Sequence, residues 1–240
     1  MEFYTEPERK IEIADRADVI VAGGGPAGYS AAIAAARNGA KTILVEQFNC
    51  LGGMATSGMM SHFTGGTDSD LYREMMNRVQ AEKSGIFFAG QGAGLQQINH
   101  EVLKKVLLDM LTEAGVKLKL YTFVCGVVMD GGAVRGIITE SKSGRQAIMG
   151  KIVIDATGDG DVAARAGAEY QLGREEDSKC QPVTLMFRIG GVNYSKAILP
   201  GSFETTVDVP KGEIQSLARQ HLPVTSCSTP PGSPAKSASI

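Results

Sequence analysis

The sequence has no surplus of charge of either sign. Its 24 Lys and Arg against 26 Asp and Glu leave a net charge of -2, which gives no reason to expect nucleic acid or an acidic membrane surface as a partner. Cysteine is scarce. Cys50, Cys125, Cys180 and Cys227 are widely scattered and form no C-x-x-C pair. Such spacing excludes a disulfide framework and a cysteine zinc site, and it fits reduced thiols in a cytoplasmic protein. An apolar leader is not evident either, because the opening MEFYTEPERKIEIADR is charged throughout. Long hydrophobic runs are missing as well. The most apolar stretch, Val19 to Ala36, is interrupted by Gly23-Gly24-Gly25-Pro26, so no membrane span is expected.

What is present describes an ordinary globular chain. A hydrophobic fraction of 43% and a charged fraction of 21% over 240 residues suffice for one large domain or two small ones. Glycine is abundant, and its 30 residues gather in a few loops, where backbone must approach something closely. Asp18 to Ala22 is a β-branched run that reads as a buried parallel strand. Pro26 to Asn38 is small and helix-forming, and Gly39 stands where that helix should stop. Lys41 to Glu46 reads as a second buried strand, completing a βαβ unit.

Glycine-rich loops follow between Leu51 and Gly66, then a helix from Asp70 to Lys83 and a second glycine-rich connection through Gly94. His100 to Ala114 has apolar residues at helical spacing. Val116 to Met129 and Ala133 to Ser141 read as strands joined at Asp130-Gly131-Gly132, a hairpin signal. Lys151 to Asp155 is a further buried strand. After Gln181 the strand-like run PVTLMFRIGGV suggests entry into a second region. Thr225 to Ile240, rich in Ser, Pro, Thr and Ala, is expected to be disordered.

Gly23-x-Gly25-x-x-Gly28 lies between the first strand and its helix. Gly23 permits the tight turn, Gly25 lets backbone approach a pyrophosphate, and Gly28 allows close strand–helix packing. The free N–H groups and positive end of the helix then face the diphosphate. Glu46 closes the second strand about 20 residues later, where an acid binds ribose hydroxyls. A carboxylate there repels a 2′-phosphate, which argues against NADP. NAD and FAD both remain open at this point. Two later segments separate them: Leu51-Gly52-Gly53-Met54-Ala55-Thr56-Ser57-Gly58, and Ile154-Asp155-Ala156-Thr157-Gly158-Asp159-Gly160-Asp161.

These segments, in this order, resemble the FAD-binding oxidoreductases of the glutathione-reductase-like superfamily. The resemblance is closest to bacterial FAD-dependent oxidoreductases related to the fumarate reductase and succinate dehydrogenase flavoproteins. It runs from about Ala17 to Val192, and DATGDGDVAARAGA matches particularly well. The resemblance implies an α/β fold: a Rossmann-like FAD-binding domain whose parallel sheet carries a β-hairpin or meander insertion, followed by the start of a substrate domain. The expected boundaries are 17–180 for the FAD domain with a helical insertion at about 66–98, 181–216 for a partial substrate domain, and 217–240 for a disordered tail. By the same resemblance Gly23, Gly25, Pro26, Ala27 and Gly28 line the diphosphate, Glu46 serves the ribose, and Gln47 belongs to the cofactor-binding set. Gly52, Gly53, Met54 and Thr56 run along the diphosphate and ribityl chain, with a core-filling role for Met54 as the alternative. Backbone at Val124 meets the adenine, and Ala156, Thr157, Gly158 and Asp161 complete the pocket.

Absences narrow the chemistry further. A redox cysteine pair like that of the disulfide reductases is missing, since Cys50 stands alone after the βαβ unit. No histidine falls between Glu46 and Gly53, so the flavin should be held non-covalently. Thr157-Gly158 stands where aromatic hydroxylases carry Asp-Gly. His62, in a loop that could face the flavin, and His100, solvated or capping at a helix start, are proton donors by residue type only. Arg174 and Arg188 could meet a carboxylate, or serve surface and structural roles. No catalytic residue is named by the sequence, and no metal is called for. The expected function is hydride transfer between a small-molecule substrate and FAD. Family character fades after Ser216 and the family's last glycine-rich segment is not found, so a C-terminally truncated chain is expected, prone to associate into oligomers through unpaired apolar surface. A catalytically inactive flavoprotein fragment and an NAD-binding dehydrogenase stay as alternatives.

Overall fold

The computed structural model describes residues 2–60, 63, 67–82, 86–89, 96–180, 188–189 and 238–239. In chain order the elements begin with β1 (Glu12–Ala22), α1 (Pro26–Arg37), β2 (Thr42–Val45), α2 (Asp70–Ala81), β3 (Ile86–Ala89), β4 (Gln96–Ile98) and α3 (His100–Glu113). They continue with β5 (Lys117–Lys119), β6 (Phe123–Asp130), β7 (Ala133–Ser141), β8 (Gly144–Asp155), α4 (Asp161–Arg165), β9 (Arg188–Ile189) and β10 (Ala238–Ser239). These fall into two compact units, residues 1–53 with 107–179, and residues 54–106 with 180–240.

The first unit is built on a six-stranded sheet in the order β5-β2-β1-β8-β7-β6. Its first four strands are parallel, and β7 and β6 return antiparallel as a meander. The expected Rossmann-like fold with a meander is therefore what the chain adopts. Ile20, Ile43, Val45, Ile137 and Ile148 form the centre of the core, joined by Val124 from β6 and Val162 from α4. Each such fully buried side chain contributes about 1.5–3 kcal/mol. β2 is buried along its whole length, as a parallel strand covered on both faces must be. Helix α1 starts at Pro26, whose fixed φ suits a first helical position, and buries Gly28, Tyr29, Ala32 and Ile33 on one face. It stops at Asn38, whose side-chain amide donates to Ala34 O (2.8 Å), and at Gly39 with φ +86°.

Two elements differ from the sequence expectation. β1 begins at Glu12, well before Asp18. Its first residues are polar and part-exposed, so hydrophobicity does not mark them; they are held by the ladder to β8, from Glu12↔Gln146 onward. The expected strand from Val116 to Met129 is broken, because Tyr121 takes a left-handed φ of +51°. That turn lets the Tyr121 and Thr122 N–H groups reach Phe48 O (3.1 Å) and Glu46 O (3.0 Å). The hairpin is as expected: Gly131 and Gly132 both have positive φ, as a two-residue primed turn requires.

In the second unit α2 buries Met75, Met76 and Val79, and β3 pairs antiparallel with β4. His100 opens α3 yet is only 6% exposed, so it is not solvated. It does not cap the helix either, since Asn99 Oδ1 accepts the Glu101 N–H (2.9 Å). β9 and β10 pair antiparallel over two residues. The rest of the PVTLMFRIGGV run, of the partial substrate domain and of the Ser/Pro-rich tail lies outside the described residues.

Candidate cofactor site

The carboxyl ends of β1, β2 and β8 lie side by side, and each runs into one of the glycine or acid segments singled out by sequence. The Gly23 N–H donates to Val45 O (2.8 Å) and the Ala156 N–H to Ala22 O (2.8 Å), so the three strand ends are stitched together. Open α/β sheets place ligands at this edge, where successive connections leave in opposite directions. Gly23, at φ +100°, has no room for a side chain: a Cβ there would lie 2.2 Å from Ala156 O. On Gly28 it would lie 1.8 Å from Gly23 O and 3.3 Å from Ala156 Cβ. These two glycines therefore serve packing between α1 and the strand ends.

Gly25 is different, because a Cβ there would meet only Gly53 Cα, at 4.0 Å. It forms the N-cap of α1 with no side chain capping the helix, and Pro26 and Ala27 are exposed. The free N–H groups and positive end of a twelve-residue helix thus stand at an open face. Gly53 faces it, with φ +53° and a would-be Cβ 3.0 Å from Gly25 Cα and 3.6 Å from Pro26 Cδ. The Gly52 N–H fixes this approach by donating to Gly24 O (2.8 Å).

Glu46 directly follows β2 and is only 5% exposed. Its Oε2 accepts the Gly24 N–H (2.6 Å) and its Oε1 the Phe48 N–H (2.8 Å), leaving further lone pairs on both oxygens. Gln47 beside it is exposed. Gly24, which the motif treats as a free position, is thereby explained: a Cβ on it would sit 2.9 Å from Glu46 Oε2 and 2.8 Å from Leu51 Cδ2. The triple-glycine run was the signal that could have found it.

At the end of β8 the turn is organised by Asp155, which sequence reasoning passed over. Its Oδ1 accepts the Thr157 N–H (3.1 Å) and hydroxyl (2.7 Å), and its Oδ2 the Ala163 N–H (2.9 Å). Burial pushes the Asp155 carboxyl up, but the hydrogen bonds from Ala163, Thr157 and Val162 outweigh it and hold the group below the usual aspartate value. Thr157 Oγ1 in turn accepts the Asp161 N–H (2.9 Å), while the Asp161 carboxylate pairs with Arg165. Gly158 has φ +92° with open space around it. Val124 is buried in the core, two residues beyond the Thr122 N–H that binds Glu46 O.

The structure therefore brings together Gly23–Gly28, Glu46, Gly52–Gly53 and Ala156. Met54 and Thr56 fall in the second unit. Met54 is 62% exposed and so does not fill the core, whereas Thr56 is buried. Arg174 is spent on a two-pronged pair with Asp177 (2.6 and 2.8 Å), which pulls that carboxyl down to about 2. Of the two roles open to Arg174, that is the structural one. His62 and Cys227 lie outside the described residues, and Arg188 is described only in its backbone. Cys50 is half-buried. Among the described residues no group of three His, Cys, Asp or Glu could hold a metal, and no helix is long and apolar enough to cross a membrane.

Comparison with known proteins bears on the family and the fold. Thiamine thiazole synthase of Aeropyrum pernix is 30% identical over 194 residues, covering 75% of this chain and 67% of the synthase. A fumarate reductase (cytochrome) of Shewanella frigidimarina is 34% identical over 129 residues, which is 50% of this chain but 20% of the reductase. The solved structure of Thermovibrio ammonificans THI4 superposes with a TM-score of 0.50 at 20% identity over 67% of each chain, a likeness of fold. Residues 18–228 match the family model for FAD dependent oxidoreductase. That match decides the choice between NAD and FAD which the glycine turn left open. The chain belongs to the FAD dependent oxidoreductase family, and its cofactor is FAD.

Proposed function

We propose that this chain holds FAD non-covalently at the carboxyl edge of its parallel sheet and uses it to oxidise or reduce a small-molecule substrate. The observation that carries the reading is the close approach of Gly53 to Gly25 in front of the uncapped start of α1. It is a cradle that any side chain at Gly53 would obstruct, next to free N–H donors suited to a diphosphate. Gly23, Gly25, Pro26, Ala27 and Gly28 are assigned to that diphosphate, with Gly52 and Gly53 opposite. Glu46, with Gln47, is assigned to the adenosine ribose, and backbone at Val124 to the adenine. Ala156, Thr157, Gly158 and Asp161 are assigned to the remaining wall. Met54 and Thr56 are assigned to the ribityl end on the resemblance of their segment.

When bound, the flavin supplies a hydride donor or acceptor at N5. The chain's own part is orientation. Its glycines let backbone reach the phosphates, and Glu46 fixes both the loop and the sugar. The lack of histidine between Glu46 and Gly53 supports non-covalent attachment. The order of the three segments supports the finer placement with the glutathione-reductase-like flavoproteins of bacteria, and the scattered thiols support a cytoplasmic location. The outer edge of β6, which carries no strand among the described residues, supports self-association.

The test is the absorption spectrum of the purified chain, followed by mass identification of the nucleotide released on denaturation. Flavin bands and released FAD are expected. NAD recovered without flavin would overturn the proposal.

A further inference from the structure

Two helices start at the carboxyl edge of the sheet, and their first N–H groups are treated differently. At α1 the N-cap is Gly25, with no side chain bonded to the helix start. At α4 the N-cap Gly160 has no side chain to offer either, yet the N–H groups of the first turn are taken. Thr157 Oγ1 accepts the Asp161 N–H (2.9 Å) and Asp155 Oδ2 the Ala163 N–H (2.9 Å), and the Val162 N–H also bonds to Asp155. Asp155 Oδ1 accepts both the N–H and the hydroxyl of Thr157 (3.1 and 2.7 Å). The Asp155 carboxylate is thus spent on the chain itself. What it holds in place is Ala156, the residue between Asp155 and Thr157. Asp155 is in register with Ala22 at the end of β1, and the Ala156 N–H donates to Ala22 O (2.8 Å). On its other side Ala156 carries the first glycine turn: a Cβ on Gly23 would lie 2.2 Å from Ala156 O, and one on Gly28 3.3 Å from Ala156 Cβ. The turn after β8 is therefore the floor under the turn after β1. Backbone packed this closely cannot shift on one side without shifting on the other.

We propose that Asp155 is a positioning residue for FAD: by locking the Ala156-Thr157 turn to α4, it holds the Gly23–Gly28 turn in the shape that receives the diphosphate. The inference rests on the cofactor reading above and adds a residue that acts on the cofactor only through its neighbours. A carboxylate is required because both of its oxygens accept. Asparagine has a single acceptor oxygen, so its amide NH2 would face the donors of Thr157 or that of Ala163, donor against donor.

The experiment measures FAD affinity, by flavin fluorescence, and melting temperature for the full chain as wild type, Asp155→Asn, Thr157→Val, Thr157→Ser and the Asp155→Asn/Thr157→Val double variant. Leu111→Val, at a buried position of α3 outside these turns, is the control for lost stability alone. Asp155→Asn and Thr157→Val should each weaken FAD by about tenfold. The double variant should lose no more than either alone, because both changes undo one turn. Thr157→Ser keeps the hydroxyl and should recover most of what Thr157→Val loses. Leu111→Val should melt lower with its FAD affinity unmoved. An Asp155→Asn chain that melts lower but binds FAD as wild type does would overturn the proposal, reducing Asp155 to a brace of the fold. Losses that add in the double variant would overturn it too, since Thr157 would then meet FAD independently of Asp155. So would an equal FAD loss in Leu111→Val. Each of these outcomes leaves the cofactor reading standing, whereas wild type that takes up no FAD overturns both.

Discussion

The two ends of the parallel strands partner their carboxylates differently, chiefly with backbone N–H groups at one end and with lysines added at the other. At the carboxyl end, Glu46 and Asp155 accept hydrogen bonds from backbone N–H groups of the turns that follow: Gly24 and Phe48 for the first, Thr157 and Ala163 for the second. Toward the amino end, Asp15 and Asp18 each accept one backbone N–H, from Arg16 (3.0 Å) and Lys41 (2.9 Å). Both are also met by lysines, Asp15 by Lys117 Nζ (2.6 Å) and Asp18 by Lys151 Nζ (2.6 Å). A backbone N–H is already fixed by the turn it belongs to, whereas a lysine must give up side-chain freedom to stay in place. The first arrangement braces the glycine loops; the second ties lysine side chains to aspartates within β1. If that contrast is right, substitutions at the carboxyl edge should be costly for stability and FAD together. A substitution at the more exposed Asp18 should be nearly silent.

The largest effect should come from Gly28→Ala. In an ordinary helix interior this change is favourable by about 1 kcal/mol. Here the new methyl would lie 1.8 Å from Gly23 O, and backbone on both sides has to move. Overpacking of this kind costs about 3 kcal/mol or more, so the clash outweighs the propensity gain. The melting temperature should fall by about 6–12 °C, and FAD should no longer copurify. Gly158→Ala gives the internal control. Its site has open space but φ +92°, so only the left-handed penalty of about 1–2 kcal/mol applies. Equal losses at the two positions would mean that the tight approach of α1 to the strand ends is not what Gly28 serves.

Glu46→Ala should come next. Two buried hydrogen bonds to a charged acceptor disappear, leaving the Gly24 and Phe48 N–H groups without their acceptor, at a cost of about 2–4 kcal/mol. Loss of the proposed ribose contact should weaken FAD at least tenfold, since about 1.4 kcal/mol is a factor of ten. Calorimetric titration with FAD measures the second effect separately from the first. Undiminished FAD affinity in a destabilised variant would confine Glu46 to bracing the loop.

Asp155→Asn should be milder and should show itself mainly in acid. The folded-state pKa of Asp155 is lowered from 3.8, so the unfolded chain takes up its proton first as pH falls. Its contribution to stability is therefore full above the unfolded value and is lost as pH drops through the folded one. Wild type should melt a few degrees above the variant at neutral pH, about 1–2 kcal/mol after allowing for part exposure. The two should begin to converge below about pH 4 and meet only below the folded value. Melts that stay parallel down to pH 2 would show that Asp155 is not titrating against its turn.

Much of the carboxyl edge was legible in the sequence because glycine spacing reports backbone geometry directly. Gly23, Gly28, Gly52 and Gly53 have positive φ or lack room for a Cβ, and no other residue type satisfies those demands. Gly24 was marked only by the triple-glycine run, and the reason for it was hidden, because what excludes a side chain there is Glu46, 22 residues away. Asp155 stood in plain view, yet its role depends on a turn folding back over it to present the Ala163 N–H. The burial of His100 was hidden for the same reason: it is set by tertiary packing and not by its place at a helix start. The start of β1 escaped because ladder hydrogen bonds, unlike burial, leave no trace in hydrophobicity.

The smallest effect should be that of Asp18→Asn, and it is the sharpest check on the contrast. The Asp18 pKa is lowered, first by the hydrogen bond from Lys151 and then by the Lys41 N–H, so on that ground alone it resembles Asp155. The surroundings differ. Lys151 is 79% exposed and Asp18 is partly exposed, so water and salt screen the pair and much of its attraction is returned to hydration. Asparagine keeps an acceptor for the Lys41 N–H (2.9 Å), so the ladder between β1 and β2 should be undisturbed. The melting temperature at physiological salt should move by less than about 1 °C. Any loss seen at low salt should vanish as salt is raised, while the loss in Asp155→Asn should persist. A salt-independent drop in Asp18→Asn as large as that in Asp155→Asn would break the comparison, because lysine pairs at the amino end would then organise the sheet as firmly as backbone donors do at the other.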